Sequence, residues 1–427
     1  MVKPLRLSLL LVVALLHGCA STDNPQVVAD AFQHAGQVKG SDPIHIPLVK
    51  TEGGADKGID AYQIANLKPD EKPARDTMEG GLWMAVEKVE ASYKTSGKII
   101  NHDALNQYVQ GISCRLAGRY CANARVYLMR VPHLNATMMP NGAMQVWSGL
   151  LLRARNEAQL AAVIGHELGH YLRRHSLQRM KSTIDTSNGM MVLTLAMAYG
   201  GVGNYSSVVS LIGNSSLAAY GRDHEREADG YGLRLMIESG YDPREAHKIW
   251  ENVLKEQKAD KENRVHFSIY NSHPPSAERQ HSLEKLATDY TRTHRAGEVG
   301  TERYVRMLQP HIMDFIRDEI DLGNFDRSTQ LFESMAEDDF FKKQASYAQG
   351  ELLRLRGEKG DYEKALALYR KSIADDTEFS EAHLGLGMVL RRLKRHDEAK
   401  LAYRTYLRQR PEADGATFIQ RYLGTPK

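Results

Sequence analysis

The stretch Val163-Ile164-Gly165-His166-Glu167-Leu168-Gly169-His170-Tyr171-Leu172 constrains this chain more than any other. Ala161, Ala162, Val163, Leu168 and Leu172 give it the apolar character of a buried helix. On a helix, residues four apart lie on one face, a turn above one another. His166 and His170 can therefore direct ring nitrogens at one metal ion. Glu167 sits one step round, within reach of a water on that metal. Two imidazoles beside a carboxylate base are the parts of a catalytic zinc centre.

Such a zinc needs three protein ligands and keeps one position for water, so a further ligand has to come from a separate element packed beside the first helix. The candidate is Glu225, in Gly221-Arg222-Asp223-His224-Glu225-Arg226-Glu227-Ala228-Asp229-Gly230. Glu225 and Asp229 stand four apart on one helical face; one can bind the metal while the other hydrogen-bonds a ligand histidine and fixes its tautomer. Spacing alone leaves Glu227 and His224 equally open as ligands.

Taken together, His166 to His170 and the later Arg222-x-x-Glu225-x-x-Ala228-Asp229 resemble the HtpX-like and BepA-like zinc metallopeptidases, which are gluzincins. The likeness extends to Asn135-Ala136, Pro140-Asn141-Gly142, Ser148-Gly149-Leu150, Gly240-Tyr241-Asp242-Pro243 and Ser272-His273-Pro274-Pro275-Ser276, and covers about residues 76 to 290. It departs from the family pattern at Asn141, where Gly is common, and at Arg226, where an aromatic is common; neither change touches the chemistry. The resemblance implies His166, His170 and Glu225 as zinc ligands, Glu167 as general base, and Asp229 behind a ligand. Zinc would bring its water toward neutral pKa, and Glu167 would take that proton and hand it to the leaving amine. The oxyanion needs another donor, for which His273 and Arg279 are candidates. His273 admits a second role, as a gate whose imidazole closes the fourth zinc position. The substrate chain is expected to add to an edge strand formed by Ala143, Met144, Gln145, Val146 and Trp147, a backbone-read mode with broad sequence tolerance.

The N-terminus reads as a targeting segment. Lys3 and Arg6 precede the apolar run Leu7 to Leu16, which is too short to span a bilayer. Leu16-His17-Gly18-Cys19 resembles a bacterial lipobox, which makes Cys19 the expected lipidation site; His17 is the departure from the usual small residue. Ala20 and Ser21 follow Cys19 with no Asp between, a pattern resembling lipoproteins sent on to the Gram-negative outer membrane. In an oxidising compartment Cys114 and Cys121 can pair. On one straight helix they would lie about 10 Å apart, so the pairing needs Gly118 to end the helix and turn the chain. A formal net charge of +3, with no basic run interleaved with aromatics, argues against nucleic acid as a partner.

The 427 residues divide by pattern. Residues 1–18 read as a lipoprotein signal peptide, 19–75 as a flexible tether rich in Gly, Pro, Asp and Lys, and 76–292 as the zinc metallopeptidase domain. Residues 300–427 read as a helical repeat domain: Leu352, Ala365, Tyr369 and Ile373 recur as Leu386, Ala399, Tyr403 and Leu407, an offset of 34 that matches the tetratricopeptide period. Phe325, Ser328 and Phe332 mark a degenerate third copy. The expected fold is mainly α: a zincin-type domain of active-site helices and a small β-sheet, then an α-helical tetratricopeptide-repeat domain. The expected cofactor is one zinc per chain. Expected partners are misfolded or stalled envelope proteins as substrates and, through the repeats, outer-membrane assembly machinery, with the membrane reached only by the lipid anchor. A chaperone or assembly scaffold with rare proteolysis is the alternative; an intact His-Glu-x-x-His favours the peptidase.

Overall fold

The computed structural model describes residues 72–74, 78–179, 221–260, 273 and 276–424. The signal peptide, Cys19, most of the tether and the apolar run Met190 to Tyr199 lie outside the described residues.

Two helices come first, α1 (Met78–Lys94) and α2 (Asp103–Ala117). His102 caps α2 by accepting the Leu105 amide on Nδ1, and Gly118 stops the helix at φ 55°, a setting that glycine adopts without cost. A 3-10 turn over Gly118–Tyr120 then doubles the chain back. Cys114 and Cys121 come within 4.3 Å at Cα and are disulfide-bonded.

A three-stranded sheet follows: β1 (Arg125–Met129), β2 (Ala136–Met138) and β3 (Ala143–Trp147). The strand order is β1-β3-β2. β3 pairs in parallel with β1 along its whole length, Arg125 opposite Ala143 through Met129 opposite Trp147. It pairs antiparallel with β2, Ala136 opposite Val146 and Met138 opposite Met144. The expectation that Ala143, Met144, Gln145, Val146 and Trp147 form an edge strand is therefore incorrect. The hydrogen-bonding groups on both sides of β3 are taken, and β2 is an outer strand. At the β2–β3 turn Gly142 has φ +85°, and a Cβ there would fall 2.1 Å from the Asn123 carbonyl oxygen.

Next come α3 (Ser148–Arg153) and the apolar α4 (Glu157–Leu172), whose N-cap Asn156 accepts the Gln159 amide. The remaining helices of this unit are α5 (Arg222–Glu238), α6 (Glu245–Ala259) and α7 (Ala277–Thr291). α8 (Thr301–Leu308), α9 (Ile312–Asp321) and α10 (Phe325–Ala336) lead into the repeats: α11 (Lys342–Arg356), α12 (Asp361–Asp375), α13 (Ser380–Arg392), α14 (His396–Gln409) and α15 (Ala416–Leu423).

One apolar core runs from Leu105 and Val109 through α4 to Tyr304, Phe315, Phe332 and Ala348. The chain between 292 and 300 is thus not a break in packing: Tyr304 donates its hydroxyl to the Leu151 carbonyl at 2.6 Å. A buried ionic knot crosses the same seam. Arg153 donates to Glu256 at 2.8 Å and to Glu319 at 3.1 Å, and Glu319 also accepts from Ser328 and Arg327. Each charge needs these partners because an isolated buried ion is costly. A second core holds α12 to α15 together. There the recurring tyrosines fill the gap behind a small residue: Tyr369 packs against Gly350 and Gly385, Tyr403 against Gly387. A third, small cluster joins Leu82, Val86 and Val89 of α1 to Met139, Ala143 and Leu177.

Candidate metal centre

α4 and α5 meet along a seam of small residues. A Cβ on Gly165 would stand 3.0 Å from the Gly232 carbonyl oxygen, on Gly169 2.9 Å from that of Ala228, and on Gly232 2.7 Å from the His166 amide. With no side chains between them the two backbones touch, and this contact brings Glu225 against His166 and His170. All three are at most 2% exposed.

The donor atoms converge. His166 Nε2 lies 3.1 Å from His170 Nε2 and 3.5 Å from Glu225 Oε2, and Glu225 Oε1 lies 3.3 Å from His170 Nε2. His273 joins them, with Nδ1 3.1 Å from His166 Nε2 and 3.0 Å from Glu225 Oε1. Ligands about 2.0–2.1 Å from a tetrahedral zinc stand roughly 3.3 Å from one another. Taken to the nearer Glu225 oxygen in each case, the separations of 3.0 to 3.5 Å are of that size, and one ligand atom from each of the four residues lies within 4.8 Å of the others. Two imidazole nitrogens facing each other at such range share one proton at most, which a cation between the donors relieves. The residues therefore fit a zinc ion.

Around the donors the charges are arranged in pairs. Asp229 Oδ1 lies 2.9 Å from His166 Nδ1. Arg279 holds Asp229 with two bonds, Nε to Oδ2 at 2.7 Å and Nη2 to Oδ1 at 2.8 Å, and reaches Glu225 Oε2 with Nη1 at 2.7 Å. Its guanidinium, 5.0 Å over the Trp250 ring, bonds both carboxylates. Arg279, a candidate oxyanion donor in the sequence, thus lies against both carboxylates and holds them. Burial opposes charge on Glu225 and Asp229, yet the histidines around Glu225 and the arginine on Asp229 outweigh it and keep both carboxyls below their ordinary range. Burial also opposes charge on His166, but Asp229 and Glu225 prevail and hold it up to about 9 among these side chains alone. Burial drives His170 well below its ordinary value, the neutral state a ligand requires. Glu167, fully enclosed, is pushed up by burial, with His273 and His166 pulling the other way. The Met138 backbone amide of β2 bonds Glu167, so this strand lies against the carboxylate. The His273 Nε2 is 3.3 Å from Glu167 Oε1.

Glu227 and His224, open as ligands from spacing alone, face elsewhere: Glu227 accepts from Arg173 and contacts His175, while His224 stacks on the His175 ring at 4.3 Å. His175 escaped the sequence reading, as did Trp250, whose ring stands edge-on to His166 at 5.9 Å. The signal for choosing Glu225 was present, since Glu225, Ala228 and Gly232 share one stripe of α5 at three- and four-residue steps. His175 carried no such signal.

A His-Glu-x-x-His helix crossed by a carboxylate-bearing helix, under a small sheet and with a third imidazole at the donor cluster, defines a metallopeptidase domain. Residues 102–287 match Peptidase family M48, and residues 351–414 match the tetratricopeptide repeat. The chain thus carries an M48 metallopeptidase domain followed by tetratricopeptide repeats. It is 31% identical over 176 residues to Metalloprotease YcaL of Escherichia coli, covering 39% of this chain and 63% of that protein. Over 214 residues it is 26% identical to the Putative beta-barrel assembly-enhancing protease of Vibrio cholerae, covering 47% of this chain and 40% of that one. Over 211 residues it is 28% identical to the Mitochondrial metalloendopeptidase OMA1 of Arabidopsis thaliana, covering 48% and 38%. The match spans under two thirds of each relative's own length. Among the described residues, no helix is long and apolar enough to cross a membrane.

Proposed function

We propose that this chain is a zinc-dependent endopeptidase of the bacterial envelope, with His166, His170 and Glu225 as metal ligands, Glu167 as general base and Asp229 behind His166. The observation that carries the reading is the convergence of these ligand groups to within 3.1 to 3.5 Å of one another beside a buried carboxylate. A zinc there would supply Lewis acidity toward water and toward a peptide carbonyl. Glu167, raised by burial, takes a proton from the attacking water and gives it to the leaving amine. Asp229, with Oδ1 2.9 Å from His166 Nδ1, favours the proton on that nitrogen and so leaves Nε2 for the metal. Arg279 keeps Asp229 and Glu225 charged and aimed. The substrate backbone pairs with the outer side of β2, whose Met138 amide already touches Glu167.

His273 serves as the gate in this reading. Its ring reaches from the metal ligands on Nδ1 to Glu167 on Nε2, the span that the attacking water would occupy. Substrate binding would then have to draw the ring away before turnover. The envelope setting rests on the lipobox-like Leu16-His17-Gly18-Cys19 and on the relatives named as a beta-barrel assembly-enhancing protease. Lipidation of Cys19, periplasmic residence at the outer membrane, misfolded or stalled envelope proteins as clients, and capture of clients or assembly machinery by the repeats of residues 300–427 complete the proposal. The test is hydrolysis of a casein-type substrate by the purified mature chain. Glu167→Gln should abolish it; full activity in that variant would sink the assignment.

A further inference from the structure

The helix bearing His166 and His170 ends at Leu172, and the chain then passes through Arg174 at φ 56°. That left-handed setting is uncommon for a residue with a side chain. On an uninterrupted helix, residue 175 would project about 140° away from His170. The break at Arg174 instead opens a new helical turn over 175–179 and returns the His175 ring to His170. His175 Nδ1 stands 2.8 Å from His170 Nδ1, and His175 Nε2 stands 2.9 Å from Glu227 Oε2. The ring is completely buried. Glu227 is itself held by Arg173, which donates Nε at 2.8 Å and Nη2 at 2.7 Å to Oε1.

We propose that His175 and Glu227 are positioning residues that determine which nitrogen of His170 faces the metal with a lone pair. Resting on the reading of His170 as a zinc ligand, the argument is one of proton placement. A charged carboxylate only accepts, so Glu227 requires a proton on His175 Nε2. A neutral imidazole carries one proton, which leaves a lone pair on His175 Nδ1. His170 then places its own proton on Nδ1, and its Nε2, 3.1 Å from His166 Nε2, carries the lone pair that a metal takes. Reversing the relay reverses the result: a proton on His175 Nδ1 would put the His170 proton on Nε2 and remove the ligand. His166 reaches the same end by direct contact with Asp229, whereas His170 does so through an intervening ring. Partners of this kind orient ligands and raise their basicity.

The test is zinc affinity of the full mature chain, measured by competition with a chromophoric chelator. Wild type should bind one zinc; if it binds none, the reading of the site fails and the relay with it. Given zinc in wild type, His175→Ala should weaken binding by about 10- to 100-fold. In His175→Asn the Oδ1 accepts where Nδ1 stood, so affinity should return most of the way although the ring and its packing are still missing. Glu227→Gln should lose affinity like His175→Ala, because its amide can donate to Nε2 and reverse the relay. Melting of the metal-stripped variants is followed in parallel. A purely structural role predicts that Asn and Ala lose affinity alike, in step with melting. That result, or wild-type affinity in His175→Ala, would overturn the proposal.

Discussion

The seam between α4 and α5 gives a prediction whose size can be worked from distances. Gly169→Ala places a methyl 2.9 Å from the Ala228 carbonyl oxygen and 3.1 Å from its Cα, where ordinary contact begins at 3.4 Å. The obstruction is backbone, so the helices themselves have to part by ~0.5 Å; Gly232→Ala, at 2.7 Å from the His166 amide, demands ~0.7 Å. Ala228 lies one turn from Glu225, so the movement is passed to the carboxylate facing His166 and His170. Metal–ligand distances tolerate only about 0.2 Å. Overpacking of this kind costs about 1–3 kcal/mol, which a domain of this size survives. The expected result is a folded protein that has lost zinc affinity by about 100-fold or more, since displacing a ligand costs more than displacing an outer partner. Circular dichroism melting and chelator competition read the two effects separately. Gly111→Ala on α2, with open space around its Cβ, is the control and should bind zinc as wild type does. Wild-type zinc affinity in both Gly169→Ala and Gly232→Ala would refute the claim that backbone contact sets the ligand geometry.

Two further outcomes follow from named groups. His273→Ala should raise basal proteolysis with zinc content unchanged if the ring gates the site; a fall in activity at unchanged zinc would reject gating in favour of a direct catalytic part. His311 stands against His102 at the α2–α9 contact, ring centroids 4.4 Å apart. Burial, with His102 adding to it, holds His311 below its ordinary value of 6.5. A depressed histidine contributes stability that is complete above that value and is lost as pH falls through the folded one. His311→Phe should therefore lose less of its melting midpoint than wild type between about pH 7.5 and 5.5; equal losses would contradict the argument.

Much of the site could be read from residue order because its chemistry is local. His166, Glu167 and His170 occupy one turn and a half of a single helix, and helical geometry alone groups them. The choice among Glu225, Glu227 and His224 needed the partner helix, and the stripe Glu225, Ala228 and Gly232 shows in retrospect which face could approach closely. The repeats were legible because their tyrosine and small-residue positions return at a fixed offset of 34. The sheet was not. A strand's alternation says which face is buried but nothing of its neighbours, and β2 is only three residues long, concealed beside a bend. β3 therefore read as an edge although β1 closes its other side. His175 was invisible for a different reason: it reads as the tail of α4 until Arg174 enters the left-handed region and turns the chain back. The union of the peptidase unit with the first repeat-side helices rests on contacts between residues more than a hundred positions apart, such as Arg153 with Glu319 and Leu151 with Tyr304.

The central claim, that His166, His170 and Glu225 form a metal centre served by Glu167, is tested most directly by metal content. Zinc bound to the purified mature chain is measured by elemental mass spectrometry for wild type, His166→Ala and Glu167→Gln. The account predicts one zinc per chain in wild type, the same in Glu167→Gln, and none retained in His166→Ala. A full complement of zinc in His166→Ala, or a wild-type chain that binds none, would contradict it.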